Sequence, residues 1–303
     1  MIIDMHGHYH PRSYLEALAR IGPGGRPLGN HPETDDEAHI QERLEMMEQA
    51  GVGMQVLSPA AGRAPYTGDE GLAIGAARLV NDLDAALVNR YPDKFKAYVS
   101  LPLPHIDASL RELERGLDAL GMVGVNMHIS ALDRSVAEDE FLPLYEEIDR
   151  RHGMIFYHPC GNGICSPLIT DYGFSGAVGT SMEDTVIALH LIAKKIPSRY
   201  PNITYIIPHL GGLIPMLLQR LDNQFSMGQH NLPEPPSVTA RRSTTTPLAT
   251  ARMRRSPALG KRSGPTTSCR AVIFRCCSPL KPTREPSRGF ARRDCRSRTS
   301  SRS

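Results

Sequence analysis

The sequence predicts an α/β protein, a (β/α)8 barrel of the TIM type that is incomplete, with an irregular basic tail behind it. Three observations predict it. Short β-like runs alternate with longer helix-period segments from Met1 to Met227, the pattern of a parallel sheet with crossover helices. The first strand runs into histidines where a dinucleotide-binding fold would carry a Gly-x-Gly-x-x-Gly loop, which favours a barrel over an open doubly wound sheet. Finally, about six β/α units are legible where about eight close such a barrel, so two more are expected after Met227.

The strand candidates in order are Ile2 to Met5, Met54 to Leu57, Phe95 to Leu101, Val123 to Met127, Met154 to Tyr157 and Ile203 to Ile207. Helix-period segments lie between them: Asp36 to Gln49, with Ile40, Leu44 and Met47 on one face, then Gly71 to Arg90, Ser109 to Leu120, Glu138 to Arg151, Glu183 to Lys195 and Leu213 to Gln224. Asp36 suits a helix N-cap, Ser181 suits the N-cap of the helix holding Glu183 and Asp184, and Gly51, Gly121 and Gly153 stand where helices should stop.

Composition divides the chain into residues 1–241, the barrel, and residues 242–303, a basic low-order tail. The 303 residues are 40% hydrophobic and 22% charged, as in ordinary globular proteins. The net charge of +3 hides a division, because 17 Lys or Arg fall from Arg241 onward against Glu285 and Asp294 alone. Residues 241–303 are therefore +15, and the first 240 residues, with 18 basic and 30 acidic side chains, are −12. No apolar run is long enough to cross a bilayer, and the start lacks a basic and apolar leader, so a cytoplasmic location without membrane contact is expected. Cys160 and Cys165 in the body and Cys269, Cys276, Cys277 and Cys295 in the tail do not resemble a disulfide framework. Cys160 and Cys165 follow His158 but lack a second Cys or His pair, and read as free thiols.

The chemistry is carried by histidines at strand ends. His6 and His8, spaced i, i+2, leave the same side of an extended chain. Two further strands end in histidine, at His158 and His209, and the C-terminal strand ends of a barrel form its mouth. Four imidazoles thus converge on one place, and a divalent ion accepts imidazole nitrogen while leaving a position open for substrate. His128 ends the fourth strand and is a candidate substrate contact, although a plain polar rim residue is the simpler reading. Asp4, ahead of the histidine pair, is expected on the opposite face in a supporting role. His10, before Pro11, and His190, inside a helix, read as structural.

These motifs carry a resemblance. Ile3 to Pro11 (IDMHGHYHP), Gly51 to Ser58 (GVGMQVLS), Phe156 to Pro159 (FYHP) and His209 to Gly212 (HLGG) resemble, in order and spacing, the amidohydrolase-related family of aminocarboxymuconate semialdehyde decarboxylase and the resorcylate decarboxylases. The resemblance runs from Met1 to roughly Met227. It implies a (β/α)8 barrel, commonly a homodimer; the histidine ligands themselves suit a divalent metal, zinc first and manganese as the other candidate. The implied reaction is non-oxidative decarboxylation of a small unsaturated or aromatic carboxylic acid. On that resemblance His6, His8 and His158 are metal ligands and His209 is the acid or base that handles the substrate proton. The metal would grip the substrate carboxylate and stabilise developing charge, while an imidazole protonates the carbon that loses carbon dioxide. Hydrolases are relatives, so a metal-dependent hydrolase is the alternative. Substrate choice is expected to lie in loops such as Ala60 to Asp69 and Gly161 to Ser181.

The family pattern also implies an Asp after the eighth strand, in Gly-(Ser/Thr)-Asp-(Phe/Tyr)-Pro. The chain departs from it, because the only Asp after Asp222 is Asp294, in Arg-Arg-Asp-Cys-Arg. Reading the tail one base earlier joins the last base of each codon to the first two of the next. Arg242 to Pro247 then permits Phe-Tyr-Tyr-Asp-Thr, and Arg270 to Arg275 permits Gly-Ser-Asp-Phe-Pro. A frameshift at about Arg242 accounts for both, and for the Arg, Ser, Pro and Cys enrichment. Two further readings remain: an inactive truncated barrel, and a barrel whose basic tail binds nucleic acid. The tail offers only Phe274 and Phe290 as aromatic side chains and no recognised module, so nucleic acid is not the expected partner.

Overall fold

Six parallel strands in sequence order form a curved sheet with helices packed on its outer side. The computed structural model describes residues 2–21, 34–59, 64–227, 231–243, 250–251 and 271–272. Strand β1 (Ile2–His8) leads through α1 (Arg12–Ile21) and α2 (Glu37–Gln49) to β2 (Val52–Ser58). Helix α3 (Glu70–Arg90), β3 (Phe95–Ser100), α4 (Ile106–Glu114) and β4 (Gly124–His128) follow. A small hairpin, β5 (Ser130–Ala131) and β6 (Arg134–Ser135), precedes α5 (Leu142–Arg150) and β7 (Met154–His158). Then come α6 (Pro167–Thr170), α7 (Thr180–Ala193), α8 (Ile196–Arg199), β8 (Thr204–Ile206), α9 (Ile214–Met227) and α10 (Pro236–Ser243). Two short fragments, β9 (Thr250–Ala251) and β10 (Ala271–Val272), complete the described elements.

The sheet order is β8-β7-β4-β3-β2-β1-β10-β9. From β8 to β1 every neighbour pairs in parallel, whereas β10 lies antiparallel on β1 through Asp4 and Val272. All six expected strands form, as part of a barrel rather than an open sheet with a nucleotide loop. Except for β9 and β10, residues 244–303, on which the basic low-order tail and the frameshift are expected, lie outside the described residues.

Alternation sorts the side chains. Met5, Val56, Tyr98, Phe156 and Ile206 form the barrel's inner cluster, with the Tyr98 and Phe156 rings stacked at 5.2 Å. Residues of opposite parity, such as Leu57, Val99, Val125, Met127, Ile155 and Tyr157, pack with the helices into the larger outer core. Helix α3 also carries polar anchors inward. The Asn81 Nδ2 donates to the Ser100 carbonyl at 3.0 Å, and Ser100 N–H returns a bond to Asn81 Oδ1 at 2.8 Å, pinning the end of β3.

Helix boundaries hold in part. Asp36 caps α2, accepting from His39 N–H at 2.8 Å, and Gly51 and Gly121 take φ of +67° after their segments. At the third stop, however, His152 adopts the left-handed conformation with φ 52°, and Gly153 instead lies against Ile148. Ser181 does not cap α7. A π-turn over Ser175–Gly179 runs directly into Thr180, so Ser181 is already inside the helix. Helices α1 and α10 and the β5–β6 hairpin have no counterpart among the sequence expectations. No helix among the described residues is long and apolar enough to cross a membrane.

Candidate metal centre

The histidine pair reaches one face through an irregularity in β1. Strict alternation would put Asp4, His6 and His8 together, but the register shifts between Asp4 and Gly7. Met5 and His6 consequently both face the barrel interior, and Asp4 faces the helices. Asp4 Oδ1 accepts the His6 backbone N–H at 3.1 Å, and its Oδ2 accepts from Gln55 Nε2 at 2.7 Å. Gln55 Oε1 in turn accepts from Arg43 at 2.6 Å, and the same guanidinium donates to the His8 carbonyl. A buried polar chain thus clamps the backbone on both sides of Gly7.

His6, His8 and His158 converge. The His6 and His158 Nε2 atoms are 3.1 Å apart, the His8 and His158 Nε2 atoms 3.5 Å apart, and one ligand atom from each of the three lies within 4.8 Å of the others. Nitrogens about 2.0–2.1 Å from a tetrahedral zinc ion stand about 3.4 Å from one another, so the spacing fits a shared cation. The protonation states fit as well. Burial, then the charges of His8 and His209, holds His6 well below the usual imidazole range. Burial, then His8, His6 and His128, does the same to His158. Neutral imidazoles offer lone pairs. His158 Nδ1 donates to the Pro159 carbonyl at 2.8 Å, and His8 Nδ1 lies 3.4 Å from the Ser58 carbonyl, which leaves both Nε2 atoms aimed at the cluster.

His209 stands beside this group, its ring centroid 5.3 Å from that of His6. It is held by an unusual turn. His209, Leu210, Gly211 and Gly212 all have positive φ, between 48° and 73°. Two groups on α7 impose the turn. Asp184 Oδ2 pairs with His209 Nδ1 at 2.7 Å, and Thr185 Oγ accepts the Leu213 N–H at 2.8 Å while donating to the Ser181 carbonyl at 2.7 Å. Gly212 is required, because a Cβ there would sit 2.1 Å from the Ser181 carbonyl oxygen. Burial raises the Asp184 carboxyl to about 6, against the opposing pull of His209.

His128 lies next to His158 in register, with ring centroids 5.6 Å apart. Burial, then the charge of His8, lowers it to about 4. Its Nε2 is buried without a hydrogen-bond partner among the described residues, as are Ser58 Oγ, Ser100 Oγ and Asn126 Oδ1. These four buried atoms belong to residues at or near the ends of β2, β3 and β4, the same end of the sheet as the histidines. His10 stacks on His8 at 6.0 Å, and His190 bonds Ser135 Oγ at 2.8 Å, well removed from the cluster.

Sequence reasoning missed Arg43, Gln55, Glu183 and Asp184. Arg43 falls three residues after Ile40, on the apolar stripe of α2, and a charge in that stripe is the available signal. Glu183 and Asp184 look like solvated first-turn acids, yet both are fully buried. Glu183 accepts from Gly161 and Gly163 N–H at 2.9 and 2.7 Å, anchoring the loop that follows His158. Cys160 and Cys165 are free thiols, and Cys160 contacts Ser130 Oγ at 3.3 Å.

Comparison with known proteins agrees with this architecture. A sequence profile of the amidohydrolase family matches residues 3–253. The 2-keto-4-carboxy-3-hexenedioate hydratase of Sphingobium sp. is 30% identical over 234 residues, covering 71% of this chain and 67% of that protein. The gamma-resorcylate decarboxylase of Rhizobium radiobacter is 29% identical over 192 residues, covering 60% of this chain and 58% of that protein. The solved dihydroxybenzoic acid decarboxylase of Polaromonas sp. JS666, with bound manganese and the inhibitor 2-nitroresorcinol, superposes with a TM-score of 0.64 at 23% identity. That match covers 78% of this chain and 74% of the solved one. The chain therefore spans 67% and 58% of the two curated relatives described, and it belongs to the amidohydrolase family.

Proposed function

We propose that residues 1–241 carry the site of a metal-dependent, non-oxidative decarboxylase of a small unsaturated or aromatic carboxylic acid, and that residues from 242 onward contribute no part of it. The observation that carries this reading is the convergence of three Nε2 atoms beside the His209–Asp184 pair. His6, His8 and His158 would hold the ion. When bound, a divalent metal, zinc or manganese, supplies Lewis-acid charge that grips a carboxylate and a neighbouring oxygen. His209, its Nδ1 committed to Asp184, presents Nε2 as the atom that exchanges a proton with the substrate carbon. His128 would contribute a neutral imidazole beside the cluster as a contact to the acid's other oxygens. The free thiols fit a cytoplasmic setting, and the working form is taken to be a homodimer.

A second reading is favoured by one observation, the relationship to a hydratase. Hydration uses the same groups, with His209 managing the proton while water adds across a conjugated double bond. The test is to incubate the purified, metal-supplied protein with 2,6-dihydroxybenzoate and with an unsaturated keto-tricarboxylate. Carbon dioxide release abolished by His209→Ala is the expected result. Loss of conjugation without carbon dioxide would replace decarboxylation by hydration. Neither change, in a protein that binds its metal, would refute both.

A further inference from the structure

We propose that codons from about Arg242 onward are translated one base out of register, and that the neighbouring register of the same gene encodes the two strands that close the sheet. The first of those strands runs from Arg242 to Pro247 and the second ends within Arg270 to Arg275, where it brings a carboxylate to the histidine cluster. The last clause rests on the reading of that cluster as a metal site; the rest does not.

The fold states what is missing. Six parallel strands leave β8 and β1 as the two sides of an opening, and a closed (β/α) barrel takes about eight. Only two residues, Ala271 and Val272, reach the β1 side among those described, and they run antiparallel to it. A strand that continues the β/α repeat must run parallel. The family profile ends at residue 253, and about a third or more of each curated relative described lies outside its match.

The bases available in the earlier register are constrained by this chain, because each new codon takes its last two bases from the first two of a residue. Ser243, through its TC codons, yields Leu, Ile, Val or Phe, and Thr244, Thr245 and Thr246 each yield His, Asn, Asp or Tyr. Pro247 yields Pro, Thr, Ala or Ser. A serine- and threonine-rich run thereby permits the aromatic strand Phe-Tyr-Tyr-Asp-Thr. Further on, Ser268 and Cys269 yield two apolar residues, and Ala271, Val272, Ile273, Phe274 and Arg275 permit Gly-Ser-Asp-Phe-Pro. That is an apolar strand whose end carries a carboxylate, where β1 and β7 carry histidines. The two segments begin at 242 and 270, and a strand, crossover helix and strand need about 30 residues. One shift in one direction permits both strands at the right spacing. In that register every Arg read from a CG codon becomes Ser, Pro, Thr or Ala.

The gene is the first test. The third bases of Ser243, Thr244 and Thr245 are expected to be T, T and G, and those of Arg270 to Phe274 to be G, A, G, T and C. Any other base at Val272 removes the carboxylate and overturns the proposal. The second test compares the chain as it stands with the product of a gene carrying one inserted base at the Arg242 codon, using zinc and manganese titration and thermal melting. The restored chain is expected to melt higher and to bind the metal at least about ten-fold more tightly. A restored chain that melts higher but binds no metal leaves the register correct and refutes the metal reading. One that neither melts higher nor binds more tightly refutes the register.

Discussion

Replacing Asp184 by Asn should stabilise the protein at alkaline pH and leave its stability nearly unchanged in acid. The Asp184 side chain is fully buried, and burial raises its carboxyl from an ordinary value of 3.8 to about 6, even with His209 pulling the other way. A group whose folded pKa is raised contributes stability that is fully present below the unfolded pKa and is lost as pH rises through the folded one. Between about pH 4 and pH 6 the native protein therefore loses stability that the amide does not. A shift of about two units at about 1.4 kcal/mol each amounts to about 3 kcal/mol at pH 8. The amide keeps an oxygen that accepts the His209 Nδ1–H, so the turn from His209 to Gly212 need not collapse. Urea denaturation of both proteins at pH 4, 6 and 8 measures the difference. The gap between variant and parent should widen in favour of Asp184→Asn as pH rises, by up to about 3 kcal/mol. A variant less stable by the same amount at every pH would refute the reasoning, because it would show that the bond to His209 outweighs the cost of the buried charge.

Two other substitutions probe the supports of the site. Arg43→Ala removes the guanidinium that bonds Gln55 Oε1 and the His8 carbonyl, and should cost about 1–3 kcal/mol in urea denaturation, as leaving two acceptors without their donor does. A cost below about 0.5 kcal/mol, the range of ordinary surface changes, would mean that the clamp on β1 is not under tension. Gly212→Ala places a methyl group against the Ser181 carbonyl at a φ of 62° and should cost more than about 1 kcal/mol, read as a fall in melting temperature. An unchanged melting temperature would show that α7 does not constrain the turn.

The elements that set the fold were legible because each carries its own local signal. Strands β2, β3, β4 and β7 are short apolar or alternating runs, and Asp36, Gly51 and Gly121 mark boundaries by side-chain and backbone chemistry that acts within a few residues. His158 and His209 were legible because they stand at strand ends, where the barrel turns position into function. What escaped depends on contacts distant in sequence. Asp184 is 25 residues from His209 and sits in a helix whose first turn is a reasonable place for any acid. Nothing local marks it as buried. Ser181 was read as a cap because a cap needs only a hydroxyl before a helix, whereas the π-turn that displaces it is set by how the 163–179 segment folds back on α7.

The β1 strand shows where period-two reasoning succeeds and where it needs a second cause. The i, i+2 spacing is sufficient to bring His6 and His8 to one face, and they are there. The same rule applied to Asp4 would have aimed a carboxylate into the barrel beneath them, and it does not go there, because the strand gains an irregularity between Asp4 and Gly7. Such an irregularity persists only if the groups it displaces find partners. They do: Asp4 turns back to the His6 N–H and to Gln55, and Arg43 reaches the His8 carbonyl from α2. Gly7 lies in this stretch with Gln55 directly against it, where a Cβ would meet the Gln55 side chain at 2.4 Å. The residue between the two histidines is therefore glycine for the same reason that Asp4 faces outward. Both follow from a clamp built by the outer helix layer, which gives the helices a direct hold on the geometry of the metal site.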